Sequence, residues 1–145
     1  MSARTPAKIL ALAAGLALLQ ASAHALLFVS AHPRHGPEEV AVVEAMKAHS
    51  FTFGGFARSY WDFYFGSGLL AALNVFVEAA LLWQLAVLAR ADAHRLRPIV
   101  ALLAMANVAH AALCLRYFFL TPVVADLVIA LCLAWSYVLA RPRSA

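Results

Sequence analysis

Seven polar side chains interrupt otherwise apolar blocks of this sequence, and their spacing sorts them into three sets. Gln20 and His24 are four apart, as are Asn74 and Glu78, while Asn107, His110 and Cys114 follow one another at three and four. On a helix each set shares one face. Counted at 1.5 Å per residue from the nearest span ends at Ala31, Asp62 and Thr121, Gln20 is about 16 Å deep and His24 about 10 Å. Asn74 is about 18 Å deep, Glu78 about 24 Å, His110 about 16 Å and Asn107 about 21 Å. Three helices would therefore present amide, imidazole and carboxyl groups near the middle of a membrane.

Such groups are costly in hydrocarbon and face a protein interior or a ligand. For the amides of Gln20, Asn74 and Asn107, hydrogen bonding between helices is sufficient reason. Glu78 asks for more, because a carboxylate at that depth is neutral, paired with His110 or held by a ligand. Four chemistries use this set. Glu78 and His110 could fix the polar end of a lipid, isoprenoid or quinone in a midplane pocket. They could act as acid–base groups of a membrane enzyme or redox protein working on a lipophilic substrate. Glu78 could exchange a proton in a coupled small-molecule transporter. His24 and His110 could ligate haem b, their depths differing by about 6 Å. No nucleophile elbow, phosphate loop or zincin motif is present.

Further candidates lie toward the span mouths. With the turn between the last two spans at Thr121, Arg116 and Asp126 sit five residues to either side, spaced for a cross-turn ion pair, the alternative being that Arg116 binds an anionic head group. Arg58 and Asp62 are four apart, and Trp61 lies between them. In "HPRHGPEE", His32, His35, Glu38 and Glu39 are borderline donors suited to zinc or copper, but H-x-x-H without a third ligand at fixed spacing is a weak pattern. Cys114 and Cys132 occur inside spans without a C-x-x-C, and their depths make a disulfide possible only if the helices slide. Two small buried thiols are expected.

The elements that must position these residues are four apolar blocks. The 145 residues are 65% hydrophobic and 12% charged, far from the balance of a soluble domain. Alanine- and leucine-rich runs at about 9–30, 63–89, 98–120 and 122–140 approach or exceed the roughly 20 residues that cross a hydrocarbon core. The expected fold is an all-α integral membrane four-helix bundle, a single transmembrane domain over 1–145. Between the first two spans, 31–62 form an extracytoplasmic loop. Within it "PEEVAVVEAMKAH" reads as a short amphipathic helix, with Pro37 in the first turn, acids after it and Lys47 near the end. Val40, Val43 and Met46 would share its apolar side. The segment "FTFGGF" reads as a bend at Gly54-Gly55.

The net charge of +4 is unevenly placed. Arg4, Lys8, Arg90, Arg95, Arg97, Arg141 and Arg143 fall on one side of a four-span topology. The positive-inside rule makes that side, and both termini, cytoplasmic. This basic cluster is an orientation signal and not a nucleic-acid surface. Residues 1–25 imitate a cleaved signal peptide, with small-residue sites at Ala21-Ser22-Ala23 and Ala23-His24-Ala25. Apolar character continues to Ser30, which favours an uncleaved span.

"RSYWDFYFGSGLL", followed by "LLWQLAVLAR", resembles the signature of small bacterial four-helix integral membrane proteins of unknown function. The likeness covers the second span and its entrance. It implies a bacterial inner-membrane location and carries over no activity. Within it Tyr60, Trp61 and Tyr64 suit an aromatic belt, Ser59 or Asp62 a helix cap, and Gly66, Gly68, Ala71 and Ala72 close helix approach. The sequence leans toward a non-enzymatic accessory or binding protein whose partners are the bilayer and a lipophilic ligand or partner membrane protein.

Overall fold

The computed structural model describes residues 4–30 and 32–140. Arg141 and Arg143, two of the inner-side cations, lie outside the described residues. The fold is all-α, with five helices among the described residues: α1 (Arg4–Val29), α2 (Pro37–Ala48), α3 (Tyr60–Asp92), α4 (Arg97–Tyr117) and α5 (Leu120–Leu139). Four of them, α1, α3, α4 and α5, are long and apolar enough to cross a membrane. The chain is thus a multi-pass helical membrane protein by architecture. It divides into two compact units, Met1–Gln20 with Val75–Ala145, and Ala21–Asn74.

The first unit is a bundle of four helical segments. Its core is small: Ala13 and Ala17 of α1, Ala86 and Ala89 of α3, closed by Leu10, Leu82, Ile129 and Leu133. Large side chains point outward instead, among them Trp83, Leu102, Leu131 and Trp135. A soluble domain would reverse this order. In lipid, helix association rests on close packing rather than apolar burial, so small residues line the seams and leucines face the acyl chains. Two polar contacts close one end. Ser136 Oγ donates to the Pro6 carbonyl at 3.3 Å, and the Arg97 guanidinium stacks on the Tyr137 ring at 4.1 Å. The link from α3 to α4 is a 3-10 turn at His94–Leu96. Asp92 Oδ1 accepts from the backbone N–H groups of His94 and Arg95, and Asp92 Oδ2 pairs with Arg95 at 3.0 Å.

The turn between α4 and α5 departs from expectation. It falls at Phe118-Phe119, and α5 starts at Leu120, ahead of "TP". Proline lacks a donor that the first helical turn does not use, so Pro122 belongs inside the start of α5 rather than in the turn. Cys114 and Cys132 are both free thiols.

The second unit holds the end of α1, α2, a hairpin and the start of α3. α1 runs unbroken through both small-residue triplets. α2 follows Gly36, whose φ of 102° suits glycine. Its half-buried side chains are Glu39, Val43 and Met46, whereas Val40 is exposed. The helix face is therefore set one position from the apolar triplet expected. The bend at Gly54-Gly55 is the turn of a two-stranded antiparallel sheet, β1 (Ser50–Phe53) and β2 (Phe56–Ser59), in which Phe51 faces Arg58 and Phe53 faces Phe56. Both glycines have positive φ, 59° and 85°, as a two-residue hairpin turn of the primed type demands. α3 begins with a reciprocal cap: Asp62 N donates to Ser59 Oγ at 3.1 Å, and Ser59 N donates to Asp62 Oδ2 at 2.7 Å. At 33 residues α3 is about 50 Å long, three residues longer at each end than its apolar run. It must tilt or emerge from a core about 30 Å thick.

Candidate functional site: a polar network inside the first unit

The corrected turn decides which side chains meet. His110 lies eight residues before Phe118 and Asp126 seven after Phe119, so both are roughly 10–12 Å along antiparallel neighbours. Arg116 is only two residues, about 3 Å, from the turn. The expected Arg116–Asp126 pair is not made. Arg116 is exposed and lies over the Tyr117 ring at 5.3 Å. Asp126 is buried, and its two oxygens are taken by other helices. Gln20 Nε2 of α1 donates to Oδ1 at 2.8 Å, and His110 Nδ1 of α4 lies 2.8 Å from Oδ2.

Glu78 also finds a partner other than the one expected. Asn107 Nδ2 donates to Glu78 Oε1 at 2.5 Å and to the Leu103 carbonyl at 2.9 Å. His110, spent on Asp126, is not hydrogen-bonded to Glu78. The reason is again register: Asn107 is one helical turn from His110 on the same face of α4, and α3 offers its carboxylate at the Asn107 level. Two hydrogen-bonded groups result, Gln20–Asp126–His110 and Glu78–Asn107, drawn from all four helical segments of the first unit. Cys114 adjoins the first group, its Sγ 3.9 Å from His110 Nδ1.

Exposure separates the members. The side chain of Asp126 is 3% exposed and that of His110 is 48% exposed. Asn107 is buried and Glu78 half-buried. Gln20 Oε1 is buried with no hydrogen-bond partner among the described residues. With Nδ1 donating to the Asp126 carboxylate, the acceptor nitrogen of His110 is Nε2, and Cys114 Sγ lies 4.0 Å from it. Among the described residues, His110, Cys114 and Asp126 also form the one group of three or more His, Cys, Asp or Glu side chains whose ligand atoms converge, all within 4.8 Å. The sequence placed His110 and Cys114 on one face but kept Asp126 apart, paired with Arg116. The signal that joins them is the N-terminal place of Pro122.

The remaining candidates belong to the second unit. His24 lies against the Phe28 ring at 4.8 Å, its Nε2 buried without a hydrogen-bond partner among the described residues, and Asn74 is exposed. In the loop, Glu39 Oε2 accepts from the backbone N–H groups of Arg34 and His35, each at 2.6 Å, and lies 3.1 Å from His35 Nδ1. The backbone bonds from His35 and then Arg34 hold the Glu39 carboxyl below its usual pKa. His32 and Glu38 are exposed, so the four loop donors do not converge. Arg58 makes no ion pair with Asp62 within 4.0 Å; Nη1 donates to the Ala57 carbonyl, and the guanidinium lies over Phe56. Arg58 and Asp62 instead line a shallow open cleft of about 210 Å³ with Phe63, Gly66, Ser67 and Leu70. Trp61 stacks among Tyr64 and Phe65 with Lys47 above its ring at 5.4 Å. A Cβ on Gly68 would overlap the Phe28 ring, which gives that glycine its packing role.

By fold and site, the chain is an all-α multi-pass membrane protein with a carboxylate–imidazole–amide network inside its helical unit. No protein-family model matches the chain, and neither does any curated protein or solved structure.

Proposed function

We propose that this is a bacterial inner-membrane protein, with both termini cytoplasmic, that holds the polar head of a lipid-like molecule against His110, Asn107 and Glu78. The ligand class is an isoprenoid or quinone, and the role is binding rather than catalysis. One observation carries the reading. A half-exposed imidazole in a membrane-spanning helix is locked by a buried carboxylate at 2.8 Å. Its Nε2 has only the weak thiol of Cys114 beside it, at 4.0 Å, and a half-exposed polar nitrogen in a span is costly unless something hydrogen-bonds to it well. A hydroxyl or carbonyl on a greasy chain meets that need at His110 Nε2, and Glu78 offers a second polar atom. Supporting the location are the cations flanking the apolar runs and the resemblance of "RSYWDFYFGSGLL" to small bacterial inner-membrane proteins.

The test is mass spectrometry of the organic extract from protein purified out of its own membrane. The reading expects a polyprenyl or quinone species near one equivalent per chain, reduced at least tenfold in His110→Ala. An extract with no enriched lipophilic species, or equal amounts in a folded His110→Ala protein, would overturn it.

A further inference from the structure

We infer that His110, Cys114 and Asp126 form a binding site for a divalent transition-metal ion of the zinc or cobalt type. This goes beyond the lipid-binding reading and does not depend on it. Imidazole, thiol and carboxylate are the ligand types such ions take, at about 2.0–2.3 Å. Those bond lengths set the edges of a tetrahedral site at about 3.3–3.6 Å. Here Nδ1 and Oδ2 are 2.8 Å apart, Sγ and Nδ1 are 3.9 Å apart, and all three ligand groups lie within 4.8 Å. Small side-chain rotations close the difference, and the ion takes the place of the proton between His110 and Asp126.

Charge favours the same outcome. A divalent ion with one thiolate, one carboxylate and one neutral imidazole sums to zero, the least costly state in hydrocarbon. Starting from an ionised Asp126 and a neutral His110, one proton leaves, from the Cys114 thiol. The imidazole proton moves from Nδ1 to Nε2. One surrounding feature fits a metal ligand set. Gln20 Nε2 already orients Asp126 through Oδ1, the kind of outer-shell bond that ligating carboxylates have. The other end of that amide, Gln20 Oε1, is a buried acceptor without a hydrogen-bond partner among the described residues. Three protein ligands with one open position make a site that exchanges its ion or presents it, unlike a closed four-ligand structural site.

The probe is cobalt(II) titrated into detergent-purified, lipid-stripped protein, read by absorption. The expected result is one ion per chain, with a near-ultraviolet thiolate-to-cobalt band and the strong visible bands of a tetrahedral site. Cys114→Ala should abolish the thiolate band, whereas Cys132→Ala should keep it. Gln20→Ala should weaken binding about tenfold, as outer-shell losses do. A thiolate band that survives Cys114→Ala, or cobalt bound without one, overturns the assignment. As a check on unaltered protein, zinc should shield Cys114 from alkylation and a chelator should restore its reactivity. Equal alkylation with and without zinc overturns it as well. Neither readout requires a lipid ligand, so failure here leaves the lipid reading standing, and the reverse also holds.

Discussion

If the Gln20–Asp126 contact holds α1 to α5, the two side chains should be energetically coupled, and the coupling can be measured with Gln20→Ala, Asp126→Ala and the double variant. The donor–acceptor distance is 2.8 Å and Asp126 is almost wholly buried, so no water replaces the lost partner. Hydrogen bonds between transmembrane helices average about 0.6 kcal/mol and reach about 1.7 kcal/mol. Burial and the ionisable acceptor place this pair in the upper half, about 1–1.7 kcal/mol. Gln20→Ala removes one bond and should cost about 1 kcal/mol. Asp126→Ala removes two, to Gln20 and to His110, and should cost about 2–3 kcal/mol. The assay is reversible unfolding in bicelles by added sodium dodecyl sulfate, followed by circular dichroism. Each of the four proteins supplies one free energy, and the cycle isolates the pair. Additivity to within about 0.3 kcal/mol would refute the contact as an energetic link.

Two further outcomes follow from other parts of the molecule. Leu133→Ala in the fully buried seam of the first unit should cost about 2–5 kcal/mol in the same unfolding assay, whereas Leu131→Ala on the exposed face should cost under about 0.5 kcal/mol. Because Glu39 has a lowered pKa in the folded loop, its contribution is complete above the ordinary carboxyl value and is lost as pH falls through the lowered one. Amide protection at Arg34 and His35, measured relative to the intrinsic exchange rate at each pH, should therefore be high near neutrality and fall in acid, a change that Glu39→Gln removes.

The four spans and α2 were legible because composition and length decide them. Runs of alanine and leucine as long as those here have few alternatives, and Pro37 with two following acids marks a helix start. The hairpin was not legible as a sheet. "SFTF" and "FARS" are four residues each, too short for alternation to speak, and Gly54-Gly55 alone reads as any bend. The network was half legible. Spacing put Asn107, His110 and Cys114 on one face, since helical geometry is local. Their partners depend on register between helices, and that turned on where the last turn falls. Phe118-Phe119 contains no glycine, proline or asparagine to mark it, so the proline at 122 drew the turn too far along the chain. That displacement exchanged His110 for Arg116 as the neighbour of Asp126.

Asp126 holds His110 through Nδ1, and the proposed ligand hydrogen-bonds at Nε2. Nitrogen-15 spectroscopy of histidine-labelled, metal-free protein in nanodiscs reads this directly, with His110→Gln used to assign the signal. The account predicts a proton on Nδ1, an unprotonated Nε2, and a shift of the Nε2 resonance when a short-chain isoprenoid alcohol is added. A proton resident on Nε2 with Nδ1 bare, or an Nε2 resonance indifferent to the alcohol, would contradict it.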